Sequence, residues 1–228
     1  MEIRTAIEAM LLSLAWAASL SVRPWRLLRR YEGDLPPLVT PFLACLGIMP
    51  WLWSWPGLAA LPLPLHWSGA PLVTLVLGWP LAVPVITAAG LSTMLTNGSS
   101  LSHALAVTVW SGLLPATLVL VLGHGVRKAF GAQPVAYMLG RAFFVPMFTL
   151  AACGATAASL THGLTGPTGE LQRVAVVLLA MGEASWSCAV VSLLVAYRPA
   201  WLATWSDAVY FGRAARQRVR IDSTPPRR

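Results

Sequence analysis

The feature that most restricts what this chain can fold into is the recurrence of long apolar runs. Residues 103–126, for example, contain no Asp, Glu, Lys or Arg. At about 1.5 Å of rise per residue, a helix of roughly 20 such residues matches the ~30 Å hydrocarbon core of a bilayer. Comparable runs lie near residues 3–22, 37–56, 68–79, 81–96, 135–161 and 171–197. With 57% hydrophobic and only 11% charged residues, and a mean hydropathy of +0.67, the chain has too few polar groups to cover a water-facing surface. It reads as an all-α, polytopic transmembrane bundle of about seven segments. Residues 1–199 form a single transmembrane domain, and residues 200–228 an interfacial segment with a basic tail.

The third segment is too short for a full crossing and is separated from the fourth only by Gly78-Trp79-Pro80. A short or broken segment is tolerated where protein rather than lipid surrounds it, so this one is expected to tilt, break or end inside the bundle.

Basic residues set the orientation. Arg23, Arg26, Arg29 and Arg30 follow the first segment, Arg127 and Lys128 the fifth, and Arg213, Arg216, Arg218 and Arg220 the seventh. Seven segments place all three clusters on one side, which the positive-inside tendency makes cytoplasmic. The amino terminus is then outside and the carboxyl terminus cytoplasmic. A cleaved signal peptide is the rival reading of the first run. Its leading region carries Glu2, Arg4 and Glu8 and lacks the usual positive charge, which favours a retained helix.

Several functions are disfavoured. Cys45, Cys153 and Cys188 are isolated within apolar runs and define no disulfide framework. The net charge of +8 comes from arginines at segment edges facing anionic lipid, with no aromatic-interleaved basic stripe for nucleic acid. Lys128, the only lysine, lies in Val-Arg-Lys-Ala-Phe and not in a Gly-rich phosphate loop, so no Walker A motif can be built. No HExxH pattern and no nucleophile with a plausible base appears, which argues against an enzyme.

Orientation sorts the histidines. His66, His103 and His162 fall at outer segment ends and His124 at the cytoplasmic edge. Imidazoles at an interface, beside Trp51, Trp53, Trp55 and Trp67, are expected in an aromatic belt. Glu183 is different: about 12 residues from the outer start of the seventh segment, it lies roughly 18 Å deep. A carboxyl group there is costly and faces the bundle interior. Arg141 sits a further ~12 Å along the axis, too far for a direct bridge, so Glu183 is expected to be protonated or hydrogen-bonded to neighbouring hydroxyls. Glu8, one or two turns below the outer surface, is a secondary polar candidate. Small residues recur at spacing four, Ser13/Ala17 and Ala15/Ser19, and crowd residues 151–159, allowing close helix approach. Trp201 and Trp205, at helical spacing before the basic tail, suggest an interfacial segment on anionic lipid.

Four collinear stretches, Leu65–Val83, Leu113–Leu122, Val135–Ala155 and Gly182–Phe211, carry a family resemblance. The most specific is the last, with Gly-Glu in mid-helix and Tyr-Arg-Pro at its end. Together they resemble the substrate-capture membrane component of energy-coupling-factor transporters, the cobalt and nickel type called CbiM/NikM, in its proteobacterial branch. The resemblance implies an importer subunit of the bacterial inner membrane, powered by a partner transmembrane subunit and two ATPase subunits. It also implies a metal held by the amine of Met1, a histidine at the second position and a histidine at the place of His66. Here Glu2 replaces the second-position histidine, exchanging a borderline nitrogen for a hard oxygen. Met1, Glu2 and His66 thus form the candidate metal site, with nickel or cobalt as cargo and zinc also compatible with such ligands. The competing function is a non-transport accessory or assembly subunit of a larger membrane complex, whose outer polar residues need bind nothing.

Overall fold

The computed structural model describes residues 2–28, 37–54, 67–161 and 166–211. Every regular element among them is helical: α1 (Glu2–Ser21), α2 (Val39–Trp53), α3 (Ala70–Leu77), α4 (Trp79–Asn97), α5 (Leu101–Val107), α6 (Leu114–Phe130), α7 (Val145–Thr161), α8 (Gly166–Tyr197) and α9 (Asp207–Tyr210). A π-helical segment, Thr108–Leu113, joins α5 to α6, and another, Ala136–Phe144, runs into α7. Short 3-10 turns occupy Pro24–Leu28 and Pro199–Trp201.

Five helical stretches are long and apolar enough to cross a bilayer: Ile3–Ser21, Trp79–Asn97, Leu101–Phe130, Ala136–Leu160 and Gly169–Tyr197. These match five of the expected runs. The run at 37–56 appears as the 15-residue α2, and that at 68–79 as the eight-residue α3, which falls short of a crossing. Exposed apolar side chains such as Ile3, Ile7, Met10 and Leu14 on α1, and Leu171, Val174 and Leu178 on α8, form the kind of surface that lipid covers.

Side-chain hydrogen bonds fix how the helices lie. Ser19 Oγ donates to Pro80 O at 2.7 Å and Trp16 Nε1 to Thr87 Oγ1 at 3.1 Å, so α1 and α4 run antiparallel. Ser92 Oγ donates to Pro50 O at 3.1 Å, bringing the ends of α2 and α4 together. One end of the bundle therefore holds the start of α1 and the ends of α2 and α4. The opposite end holds the end of α1 and the Gly78 turn. Gly78 has φ 77°, a left-handed value that favours glycine, and its N–H closes α3 on Thr74 O at 2.9 Å. Pro80 then sits in the first turn of α4, where a missing N–H costs nothing.

The core is built around α3. Seven of its eight residues are buried, and Val73, Leu75, Val76 and Leu77 pack with Leu81, Val85 and Ile86 of α4, Val119 of α6 and Val191 of α8. The small-residue ridge of α1 divides: Ala15 and Ser19 are buried, while Ser13 and Ala17 are exposed. In the small-residue stretch of α7, a Cβ on Gly154 would come within 2.9 Å of Val176 Cγ1, so that stretch serves packing within the bundle against α8.

Gly90 makes the closest crossing. A Cβ there would collide with Thr108 Oγ1 and lie 3.0 Å from Thr108 Cβ. We expect Gly90→Ala to lower stability by about 1–3 kcal/mol, the usual cost of overpacking. Thr108→Ala in the same chain should recover part of that loss. Thermal unfolding of the two single variants and the double variant checks the coupling, which additivity would disprove.

Residues 199–211 differ from expectation. Trp201 and Trp205 do not share a helix, and Trp205 is buried, stacked on Tyr210 at 4.3 Å between ring centroids and set edge-on to Tyr137 at 4.8 Å. Its indole N–H donates to Asp207 Oδ1 at 2.6 Å. Leu202 and Tyr210 join the same core. Because the polar edge of Trp205 is satisfied within its own segment, the ring can pack inward against Tyr137 and Tyr210.

Candidate functional site

A helix of eight residues buried in an apolar bundle has unpaired amides at one end and unpaired carbonyls at the other. No water or lipid group within a bilayer core satisfies them, so α3 demands partners from the protein. At its start, Glu183 supplies them. Ser68 N donates to Glu183 Oε2 at 2.9 Å and Gly69 N to Glu183 Oε1 at 2.7 Å, while Ala70 N donates to Ser68 Oγ at 3.2 Å. Negative charge density at a helix start also complements the helix dipole. Gly69 suits this place because its φ is 65°, a left-handed value that favours glycine. At the other end, Ala203 N donates to Val76 O at 2.7 Å and Thr204 Oγ1 to Leu75 O at 2.6 Å.

The partners of Glu183 are thus backbone amides, not the hydroxyls expected from sequence. A hydroxyl can turn to water or to its own helix, as Thr74 Oγ1 does by donating to Ala70 O at 2.8 Å. A fixed amide pair has no such alternative. No ion pair joins Glu183 to Arg141; among the described residues the ion pairs are Arg4–Glu8 at 2.9 Å and Arg173–Glu170 at 4.0 Å.

Ser68 is also tied in place from two other sides. Its hydroxyl donates to Ser111 O, and its carbonyl accepts from Trp53 Nε1 at 2.9 Å. Trp53, expected in the aromatic belt, is 4% exposed and acts as an internal strut. Trp51 is exposed, as a belt residue would be.

A second buried carboxyl group lies next to this network. Glu8 is 3% exposed, and its Oε1 accepts from Arg4 Nε at 2.9 Å and from Trp110 Nε1 at 3.0 Å. Trp110 and Ser111 are adjacent residues of the first π-helical segment. The start of α1, through Glu8, and the segment entering α3, through Ser68, are therefore anchored to consecutive residues. π-Helical turns change the direction in which side chains and carbonyls point, and they recur at functional sites. Nothing in the residue pattern of Thr108–Leu113 signals one. The Ser-Gly-Ala-Pro sequence at 68–71, in contrast, carries a readable helix-start signal in its proline.

Of the expected metal site, Met1, His66 and the side chain of Glu2 lie outside the described residues; the backbone of Glu2 opens α1. His162 lies outside them too. His103 and His124 are exposed, and the His103 N–H donates to the capping hydroxyl of Ser100 at 3.3 Å. Among the described residues, no three His, Cys, Asp or Glu side chains gather at a metal-holding distance. Comparison of the chain with family models, with curated proteins and with solved structures finds no match.

Proposed function

We propose that this chain is the membrane-embedded substrate-capture component of an energy-coupling-factor importer, and that its cargo is a divalent transition metal ion. One observation supports this above the others: Glu8 and Ser68 are held by the adjacent residues Trp110 and Ser111. Glu2 precedes Glu8 by six residues and His66 precedes Ser68 by two. Anchors that bring these two stretches of chain side by side favour a shared ligand among Met1, Glu2 and His66. The amine, carboxylate and imidazole would bind nickel or cobalt, and zinc fits the same donors.

In this reading the start of α1 faces outward. The arginines at 23–30, 127 and 213–220 face the cytoplasm, and the chain is a multi-pass protein of the bacterial inner membrane. The exposed Ser13/Ala17 face of α1 is where a partner transmembrane subunit would approach closely. Two ATPase subunits would power release.

Cells expressing the chain should accumulate nickel or cobalt only when a matching transmembrane subunit and ATPases are coexpressed, and the subunits should copurify. Full uptake by the chain alone in ATP-depleted cells would contradict the proposal. Absence of both metal binding and ATPase partners would leave the accessory-subunit reading, in which Glu8 and Glu183 serve only to hold the bundle together.

A further inference from the structure

The second π-helical segment carries a basic residue that the reading above does not use. Arg141 is 9% exposed, and its Nε is buried without a hydrogen-bond partner. It is held by shape. Its Nε would be 2.8 Å from a Cβ on Gly123, so a side chain at that place on α6 would force Arg141 to shift. The guanidinium carbon stands 5.8 Å from the ring centroid of Tyr137, and the Tyr137 hydroxyl is 2.7 Å from Thr204 Oγ1.

Arg141, Arg127 and Tyr137 line a narrow cleft, together with Gly123, Val126 and Tyr210 among others. Among the described residues, none that lines it is acidic. Both ion pairs among the described residues lie elsewhere and use other arginines. Arg127 falls one helical turn beyond Gly123, and Arg141 lies about 10 Å along the helix from Pro134. The cleft therefore opens at the bundle end where α6 finishes and where residues 199–211 pack. Its base has room for about one water-sized group.

A buried arginine with an unpaired donor and a second arginine at the mouth make an incomplete site. Planar guanidinium groups pair best with oxyanions, and bare burial of such a charge is costly. We propose that this cleft binds a phosphate oxyanion, with one oxygen seated at its base against Arg141 and the rest of the group held at the mouth by Arg127. Phosphate at this level of a membrane protein comes from an anionic lipid headgroup or from free phosphate in solution. The inference does not depend on the transport reading.

The test uses the purified full chain in a neutral detergent. Its thermal midpoint is followed during titration with phosphatidylglycerol, with diacylglycerol, which lacks the phosphate, and with inorganic phosphate against chloride at equal ionic strength. Phosphatidylglycerol should give a saturable rise that diacylglycerol does not. Arg127→Gln and Arg141→Lys should each weaken the apparent affinity by about tenfold or more, and Arg173→Gln, whose arginine pairs with Glu170 outside the cleft, should not. Arg141→Lys keeps the buried charge but loses the planar fork, so it reads recognition even where Arg141→Gln does not fold. Saturation by inorganic phosphate with the same sensitivity to the variants assigns free phosphate as the source. A rise that never saturates, equal responses to phosphatidylglycerol and diacylglycerol with none to phosphate, or variants that bind like the parent would overturn the site and leave the cleft to a water molecule.

Discussion

Glu183→Ala should destabilise the bundle by about 2–5 kcal/mol, the range seen when a buried, charge-assisted hydrogen-bond partner is removed and its donors stay behind. The donors are the amides of Ser68 and Gly69, and neither has a route to solvent along the buried start of α3. Glu183→Gln should cost less, because the amide oxygen still accepts one of the two bonds while the NH2 group faces the other donor. Thermal unfolding in detergent, with yield of monodisperse protein as a second readout, should rank Glu above Gln above Ala. An alanine variant as stable as the parent would mean that another group, or water, satisfies those amides. Thr204→Val probes the opposite end of α3 and should show a smaller loss, since the two bonds it removes, to Leu75 O and with the Tyr137 hydroxyl, are both between neutral groups.

Metal binding should respond most strongly to the amino terminus. A peptide extension before Met1 turns the amine into an amide that cannot ligate, so it should reduce nickel and cobalt affinity as severely as His66→Ala. Each change should cost at least tenfold, or about 1.4 kcal/mol. Glu2→His restores the nitrogen donor of the resembling family and should tighten nickel and cobalt binding. His162→Ala should have little effect. Acidification should weaken binding in the parent, because amine and imidazole must both lose a proton to ligate. Calorimetric titration of the parent and these four variants checks all of this. A parent that binds none of the metals, or an extension without effect, would remove the site.

The main helices were legible in the sequence because crossing a membrane is a demand on length and apolarity, and both can be counted along a chain. Even the shortness of the third segment and the turn at Gly78-Trp79-Pro80 were visible. The partners of Glu183 were not. They are amides, and which amides stand unpaired depends on where α3 begins in space, not on any residue type. Trp53 and Trp205 were misplaced for a related reason. Both rings suit an interface, but Trp53 donates to Ser68 O, and Trp205 donates to Asp207 Oδ1 while packing on Tyr137 and Tyr210. The two π-helical segments left no compositional trace, although they carry Trp110, Ser111, Tyr137 and Arg141. The proposed metal site of Met1, Glu2 and His66 rests on family resemblance, since ligands from distant parts of a chain have no spacing to read.

The double anchoring of α3 also sets an order of assembly. Its start is closed by a residue 114–115 positions later in the chain and its end by one 129 positions later. A ribosome delivers residues 70–77 long before either partner exists, at a stage when the half-helix cannot rest in lipid with its ends open. The third helix in sequence is thus among the last pieces to be completed. Until residue 204 emerges, it must wait in the insertion machinery, at the interface, or in some provisional pairing. Shortening the chain before that point would spoil the centre of the bundle first, however distant the cut is from the centre in sequence.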